Sequence, residues 1–425
     1  MTKPPHPFRI ANFRAYWLSR FTGTIAQNAM ALIIGYQVYG IARLTMDVKE
    51  AAFLLGMIGL AQFVPLFLLT PVVGLVADSV DRRWIVRTTT ALLMLNAAVL
   101  GLLTWAGALT LPALFGAAVL IGIARAFSGP AYSALAPNLV PREVLPTSIA
   151  VSSIAWQVGT IVGPSVGGLL LTISAEAAYA GAVTLFAVAL AAIFLIGPVP
   201  QPPVQKDHRP VARIVEGFGY VKRNRLVQAT ITLDLFAVLL AGSTALLPVF
   251  ARDVLRVGAD GLGVLAASSG LGAAVMAIWF SFRPMKHEVG VKMLAAVVVF
   301  GVATIVFGLS TSFWLSAAAL AVGGAMDMVS VYVRSSLIQL HTPDAMRGRV
   351  SAVSQLTISA SNELGEAESG LLASLLGPVG AVVLGGAGAI GVTMLWTRLY
   401  PELRLAKTFD PPEVTPTQSH GVVQP

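Results

Sequence analysis

Apolar residues gather along this chain into twelve long runs, which short polar or charged stretches separate. About 20 consecutive apolar residues cross a bilayer as one helix, and the pattern therefore predicts an all-α integral membrane protein with twelve transmembrane helices. The first six lie near 16–40, 51–76, 84–105, 111–136, 147–172 and 176–197. The second six lie near 228–250, 258–281, 290–310, 312–340, 348–374 and 378–399.

A segment of different composition divides the twelve runs into two sets of six. It begins with four prolines, at 198, 200, 202 and 203, and then carries six Lys or Arg residues up to Arg225. Proline-rich segments act as linkers, and the apolar spacing of the basic part predicts an amphipathic helix on the membrane surface. We expect an N-terminal six-helix bundle at 1–197, a linker with an amphipathic segment at 198–227, a C-terminal six-helix bundle at 228–400 and a disordered tail at 401–425.

Composition agrees with a membrane protein that crosses the bilayer many times. Hydrophobic residues make up 56% of the chain and charged residues 11%, whereas soluble domains carry about 25% charged residues. Most of the 28 Lys and Arg residues fall in the termini, the linker and every second loop. Because loops rich in these residues stay in the cytoplasm, we expect both termini to be cytoplasmic and the chain to be surrounded by membrane lipid.

Several kinds of function are disfavoured by what the sequence lacks. Without cysteine it has no disulfide, thiol nucleophile or thiolate metal site. All five histidines lie in tails or predicted loops, which disfavours a metal site and a serine–histidine hydrolase inside the membrane. The G-x-x-x-x-G-K-[ST] loop that cradles ATP phosphates is missing, and the net charge of +8 follows the loops rather than a nucleic-acid patch. We expect no enzyme activity, no cofactor, no metal and no nucleic-acid partner.

The two halves of the chain are similar at one fixed offset of 202 residues. Pro141 corresponds to Pro343, Ala150-Val151-Ser152 to Ala352-Val353-Ser354, Gly163 to Gly365, and Gly168 to Gly370. A shared offset across two helices and their connecting loop indicates an internal duplication. Because six spans separate the copies, both have the same orientation in the membrane. Parallel repeats with a site at their interface are typical of transporters.

The fifth predicted span contains an unusual set of small and helix-breaking residues. Gly159, Gly163 and Gly167 are spaced four apart, and Pro164 and Gly168 lie among and beside them. Small residues at this spacing let another helix approach closely, and a proline inside a helix bends it. The stretch predicts a packing seam, which is either passive or a surface for gating movements.

Charged residues inside the spans are few, since a central charge costs about 2.5–3.5 kcal/mol on insertion scales. The acidic candidates for proton coupling are Glu363, Glu366, Asp234 and Asp327. Glu363 and Glu366 are three residues apart on one helix face, and their charges oppose each other in a low dielectric. The repulsion favours a proton on one of the two carboxyl groups, and a carboxyl group of this kind is suited to proton uptake. The alternative is that these acids form fixed ion pairs with Arg125 or Arg334 and only hold helices together.

Further polar and aromatic residues of the spans are candidates for a substrate cavity. The set is Arg20, Gln27, Arg125, Tyr132, Trp156, Gln157, Arg334, Gln355 and Asn362. Taken singly, each neutral residue could equally make a hydrogen bond between helices, which is worth ~0.6 kcal/mol on average in a membrane.

The loop after the second span, together with twelve spans and a duplication, resembles the major facilitator superfamily. The matching residues of that loop are Gly74, Asp78, Arg82 and Arg83. Ser79 and Asp81 stand where the superfamily usually has an arginine and a glycine. The stretch from Gly159 to Gly168 resembles the fifth-helix motif of the superfamily's antiporters and exporters, with Ala150 in place of an upstream glycine. The resemblance implies gating and packing roles for both sets of residues.

The resemblance covers nearly the whole chain and extends to the branch that contains the bacterial enterobactin exporter and drug efflux proteins. It is carried by residues 12–21, Tyr36-Gln37-Val38, the proline-rich linker and residues 342–350. It implies a monomer of the bacterial inner (plasma) membrane that exports a siderophore-like or drug-like molecule by alternating access, in exchange for protons. Two alternatives remain, a nutrient or metabolite importer of the same fold and a non-transporting receptor or scaffold.

Overall fold

Helices make up most of the chain that the computed structural model describes, namely residues 6–198 and 210–410. The first half contains α1 (Ala11–Ala42), α2 (Val48–Ser79), α3 (Arg82–Trp105), α4 (Leu111–Leu135), α5 (Leu145–Ile173) and α6 (Ala175–Phe194). Short 3-10 turns adjoin them at Pro7–Arg9, Ala136–Leu139 and Arg142–Val144. These six helices contain the cores of the six spans predicted for this half.

The second half starts with a helix in the linker and contains one interrupted span. Its helices are α7 (Pro210–Arg223), α8 (Arg225–Leu240), α9 (Leu247–Val249), α10 (Gly258–Phe282), α11 (Val289–Leu309), α12 (Phe313–Leu340), α13 (Asp344–Leu399) and α14 (Pro401–Arg404). The seventh span, predicted as one helix at 228–250, is broken after Leu240. The chain continues through a 3-10 turn at Ser243–Leu246, α9 and a π-helical turn at Phe250–Val254.

Twelve helices of the described chain span the membrane. Ten of its stretches are long and apolar enough by composition. α1 adds another, since its 32 residues exceed the about 20 that a bilayer requires, although it carries Arg14 and Arg20. The run from Met346 to Leu399 counts once among the ten but contains two spans. The break falls at Gly377, whose φ of +79° is accessible to glycine and rare for other residues.

The spans form two six-helix bundles that meet along two pairs of helices. In the N-terminal bundle α1 packs on α5 and α6, and α4 packs on α2 and α3. In the C-terminal bundle α12 packs on α10 and α11, and α13 packs on α8 and α11. The bundles touch where α2 meets α13 and where α5 meets α10. We call the end of the molecule with the start of α1 and the end of α13 the terminal face, and the opposite end the far face.

The amphipathic helix of the linker packs on protein rather than lying only on a membrane surface. Val221 of α7 is buried in a cluster with Val350 and Val353 of α13, and Glu216 Oε2 lies 2.9 Å from Arg349 Nη1. Phe218 stays exposed. The sequence predicted an amphipathic helix on the membrane surface; in the structure the apolar residues of α7 are divided between the C-terminal bundle and the outside. Linker residues 199–209 lie outside the described part of the chain.

The segment predicted as a disordered tail is structured over its first ten residues. Leu403 of α14 is fully buried, and the Gly290 N–H donates to the Ala406 carbonyl at 3.0 Å. Glu402 pairs with Arg225 at 2.6 Å. These contacts fix the segment from 401 to 410 beneath the C-terminal bundle, and the boundary predicted at 401 is wrong for this part. Residues 411–425 lie outside the described part of the chain.

Candidate functional site

The two bundles touch through glycines that the duplication relates. A Cβ built on Gly370 of α13 would lie 2.6 Å from the Cα of Gly56 on α2. A Cβ built on Gly263 of α10 would lie 2.8 Å from the carbonyl carbon of Gly168 on α5. Real side chains do not approach backbone atoms so closely, and both positions admit only glycine at this separation. Gly168 and Gly370 are partners at the offset of 202 residues, and each contacts the other bundle.

The remaining glycines of the fifth-helix stretch face α1 within their own bundle. A Cβ built on Gly159 would lie 2.8 Å from Thr24 Cβ, and one built on Gly163 would lie 2.5 Å from Asn28 Cβ. Gly167 packs in the same way against Ala29. Pro164 lies inside α5. α5 therefore uses two sides of this stretch: Gly159, Gly163 and Gly167 contact α1, and Gly168 contacts α10.

An ion pair joins the bundles between α4 and α13. Arg125 Nη1 lies 2.5 Å from Glu363 Oε1, and the Glu363 side chain is 5% exposed against 27% for Arg125. Glu363 Oε2 is buried and has no hydrogen-bond partner in the described part of the chain. One carboxylate oxygen is thus paired with the opposite bundle, while the other is free to bind a proton.

Glu366 lies one turn further along α13 and packs against α2. A Cβ built on Gly59 would lie 2.7 Å from Glu366 Oε2 and 2.7 Å from the Glu363 carbonyl oxygen. Gly59 therefore provides the space in which the Glu366 carboxyl group sits. The two acids predicted for proton coupling lie together where α2, α4 and α13 meet.

The other two predicted acids lie inside the C-terminal bundle. Asp234 of α8 pairs with Arg334 of α12, and both side chains are 7% exposed. Asp327 is exposed and lines a small pocket that it shares with Asp234 and Ser330. Seven residues separate Asp327 from Arg334, or ~10.5 Å along a helix, and Arg334 takes its partner from another helix. The four acids thus form two separate groups.

Arg20 lies among aromatic side chains of the N-terminal bundle. Its Nη1 donates to the Tyr16 hydroxyl at 3.1 Å, and its Cζ lies 5.6 Å from the centre of the Tyr132 ring. The Tyr16 hydroxyl donates to the Tyr132 carbonyl at 3.1 Å, and the hydroxyls of Ser19 and Tyr132 are 2.9 Å apart. The network ties α1 to α4 around the guanidinium group.

The neutral cavity candidates are dispersed. Gln27 lines a small pocket inside the N-terminal bundle with Asn96, Leu93 and Phe186 among others. Trp156 and Gln157 are partly buried on α5, and Gln355 and Asn362 are exposed on α13. Of these five candidates, Gln27 lies with another polar residue, Asn96, in a pocket.

The loop between α2 and α3 is held by arginines. Arg82 Nη1 donates to the Ala134 carbonyl at 3.1 Å, which joins α3 to the end of α4. Arg83 Nη2 pairs with Asp81 Oδ2 at 2.5 Å, and its Nη1 donates to the Ile196 carbonyl at 3.4 Å. The side chains at the predicted positions 74 and 78 lie outside the described residues. Asp81, where the superfamily usually has a glycine, both caps α3 and pairs with Arg83.

Sequence reasoning missed a contact between the bundles on the far face. Arg43 Nη2 lies 3.2 Å from Asp253 Oδ1, and Tyr39 donates a short hydrogen bond to Asp253 Oδ2. Arg252 Nη1 donates to the Gly40 carbonyl at 3.4 Å. The signal in the sequence that could have indicated this contact was the presence of charged residues, Arg43 after the first span and Arg252 and Asp253 after the seventh, on the face that is otherwise poor in Lys and Arg. Nothing in one sequence pairs residues that lie 210 positions apart.

Known protein families include one whose model matches almost the whole chain. A model described as "Transmembrane secretion effector" matches residues 2–414. Proteins named "Enterobactin exporter EntS", from Escherichia coli O1:K1 / APEC and from Escherichia fergusonii, are both 26% identical to this chain, over 413 and 411 residues. Each alignment covers 96% of this chain and 96% of the relative.

Solved structures of transporters have the same fold. A POT family transporter in complex with 5-aminolevulinic acid superimposes with a TM-score of 0.72 at 14% identity, over 93% of this chain and 97% of that one. A bacterial homolog to the human lysosomal transporter Spinster superimposes with a TM-score of 0.69 at 14% identity, over 94% and 99%. At these identities the likeness concerns the fold alone.

Proposed function

The chain belongs to the transmembrane secretion effector family of the major facilitator superfamily, and from that premise we propose that it exports a small organic molecule in exchange for protons. The cargo is siderophore-like or drug-like, by analogy with the relatives named as exporters. The protein works as a monomer in the bacterial inner membrane, with membrane lipid around it, and needs no cofactor. Its terminal face, rich in Lys and Arg, is cytoplasmic.

The ion pair between Arg125 and Glu363 is the observation that carries the proposal. It joins the two bundles inside the membrane at 2.5 Å, where an isolated charge is costly. Rocking of the bundles about their interface pulls the two partners apart. Glu363 then loses its counter-ion and can take up a proton in its place. The Glu363 carboxylate thus binds either Arg125 of the other bundle or a proton.

The contacts between the bundles indicate which face is closed. The glycine contacts of Gly56 with Gly370 and of Gly168 with Gly263, together with the pair of Arg43 and Asp253, lie toward the far face. They support a state closed to the outside and open to the cytoplasm, in which cargo enters between the bundles.

In the outward-open state Glu363 accepts a proton from outside on a carboxylate oxygen, and Glu366 beside Gly59 is the second acceptor. On return, the Arg125 guanidinium competes with the proton for Glu363, and the proton leaves to the cytoplasm. Asp234 and Asp327 are further proton acceptors inside the C-terminal bundle. Cargo moves the equilibrium only by binding one state more tightly than the other.

Proton-driven uptake into everted vesicles tests this function. Respiring vesicles build a proton gradient, and compounds chosen by a growth screen of a deletion strain are added. In the wild type, cargo dissipates the gradient; in Glu363→Gln and in Glu366→Gln this response is lost. Glu402→Gln is the matched control, since that acid pairs with Arg225 at the exposed terminal face. An unchanged response in both Glu363→Gln and Glu366→Gln overturns the assignment.

A further inference from the structure

Arg20, Arg125 and Arg334 lie inside spans and away from the span ends, and the structure gives acidic partners to two of them. Arg125 pairs with Glu363, and Arg334 pairs with Asp234. Arg20 has no carboxylate partner among the described residues, and its Nε is buried without a hydrogen-bond partner there. We propose that Arg20 binds an anionic group of the transported molecule, so that the cargo is an organic anion. The proposal rests on the export function proposed above.

The surroundings of Arg20 hold a guanidinium group without neutralising it. The Tyr16 hydroxyl accepts from Nη1 at 3.1 Å, and the Tyr132 ring lies 5.6 Å from Cζ. Tyr16 is fully buried, and both phenols are tied to α1 or α4 by hydrogen bonds. The Tyr16 hydroxyl and the Tyr132 ring orient the guanidinium group of Arg20 but do not neutralise its charge. A buried or half-buried positive charge is stabilised when a carboxylate, phenolate or phosphate binds it.

Arg20 lies nearer the terminal face than the Arg125–Glu363 pair does. Its neighbour Tyr132 follows Arg125 by seven residues on α4, which places both on one helix face, ~10.5 Å apart along the axis. Arg125 reaches across to the other bundle. Arg20 therefore lies about two turns from the Arg125–Glu363 pair, toward the terminal face. An anion coming from that face meets the unpaired arginine before it meets the paired one.

An anionic cargo also fits the energetics of export. A cell interior is negative relative to the outside, so the outward movement of an anion and the inward movement of a proton are both driven by the membrane potential. Because the anion binds Arg20 and the proton binds Glu363 or Glu366, the two need not compete for the same atoms. They are linked through the shared equilibrium between the inward-open and outward-open states.

Binding of two dyes by the purified full-length protein tests the charge preference. Fluorescein is anionic and rhodamine 6G is cationic, and both share a three-ring xanthene core. We expect wild-type protein to bind fluorescein more tightly. Arg20→Gln should lower the fluorescein affinity by about tenfold or more, as for a lost charge-assisted hydrogen bond, and leave rhodamine 6G binding unchanged. Arg20→Lys should restore part of the affinity, which a purely structural role of the arginine would not produce for one dye alone.

Arg14→Gln is the matched control, since Arg14 lies on the same helix but is exposed and donates to the Phe8 carbonyl. Equal affinities of wild-type protein for the two dyes, absence of fluorescein binding, or fluorescein binding unchanged by Arg20→Gln each overturn the proposal. The outcome is separable from that of the proposed function. Gradient-driven export that needs Glu363 but not Arg20 leaves export standing, whereas Arg20-dependent fluorescein binding without gradient-driven export leaves only the anion site.

Discussion

Gly56 of α2 and Gly370 of α13 lie so close that a Cβ on either would be 2.6 Å from the Cα of the other. This contact joins the two bundles toward the far face. Gly168 and Gly263 make the equivalent contact between α5 and α10. Since Gly168 and Gly370 are repeat partners, the same glycine of the duplicated unit closes both sides of the interface. The closed far face therefore depends on the absence of side chains at these positions.

A side chain at position 370 should open the far face. Overpacking costs about 1–3 kcal/mol, and in Gly370→Val only the closed state bears this cost. The chain has no cysteine, so Ala52→Cys gives a single thiol, at a site that is fully buried beside Gly370. We expect Gly370→Val to raise its labelling by a membrane-impermeant maleimide from the far face by about fivefold or more.

Gly391→Val is the control for this experiment, because Gly391 lies in the same helical run and a Cβ there meets no atom within 4 Å. Its labelling should equal that of the Ala52→Cys background. Equal labelling in Gly370→Val and Gly391→Val would show that the glycine contact does not determine closure.

Removing Arg125 and removing Glu363 from their ion pair should lower the free energy of unfolding by different amounts. Arg125→Gln leaves a carboxylate that is 5% exposed, whereas Glu363→Gln leaves a guanidinium that is 27% exposed. The more buried charge is the more costly one to leave unpaired. We expect Arg125→Gln to lower the free energy of unfolding in detergent by about 2 kcal/mol, and Glu363→Gln to lower it less.

The double variant Arg125→Gln with Glu363→Gln should recover part of the loss, since neither charge remains. Purely additive losses in the double variant would mean that the two side chains do not interact.

The contact of Tyr39, Arg43 and Asp253 should act as a latch on the far face. Asp253 accepts from both other side chains, and the Arg43–Asp253 pair is about one quarter exposed. Such a pair contributes about 1 kcal/mol or less. Asp253→Asn should therefore raise far-face labelling of Ala52→Cys about threefold to fivefold, and Arg43→Asp with Asp253→Arg should restore protection. Asp260→Asn, an exposed acid nearby on α10, should change nothing, and a similar rise in that variant would refute the latch.

Features with a periodic signature could be predicted from the sequence. Span number, the division into two bundles and the family all followed from apolar runs, the proline-rich linker and the loop motif. The offset of 202 residues relates Gly163 to Gly365. These two glycines also occupy equivalent places, since Gly163 packs on α1 and Gly365 on α8.

Features that depend on distance between remote residues could not be predicted. The sequence offered Arg125 and Arg334 as alternative partners of Glu363, and only the three-dimensional structure brings Arg125 of α4 to Glu363 of α13. The partner of Arg334 is Asp234 for the same reason. The interruption of the seventh span after Leu240 was missed, although Gly242, Ser243 and Thr244 at the break are residues typical of turns.

The Asp234–Arg334 pair should contribute to stability far more than the Arg225–Glu402 pair. Both join two helical elements of the C-terminal half, but the first has side chains that are 7% exposed and the second 57% and 39%. Removing one partner of a buried pair costs about 3–5 kcal/mol because the other charge is left uncompensated, while an exposed pair is worth about 1 kcal/mol or less. Thermal unfolding in detergent should therefore show a large loss of stability in Asp234→Asn and a small one in Arg225→Gln.

The double variant Asp234→Asn with Arg334→Gln should be more stable than Asp234→Asn alone, because the second substitution removes the orphaned charge. Equal losses in Asp234→Asn and Arg225→Gln would mean that water reaches the Asp234–Arg334 pair through the pocket that Asp327 lines.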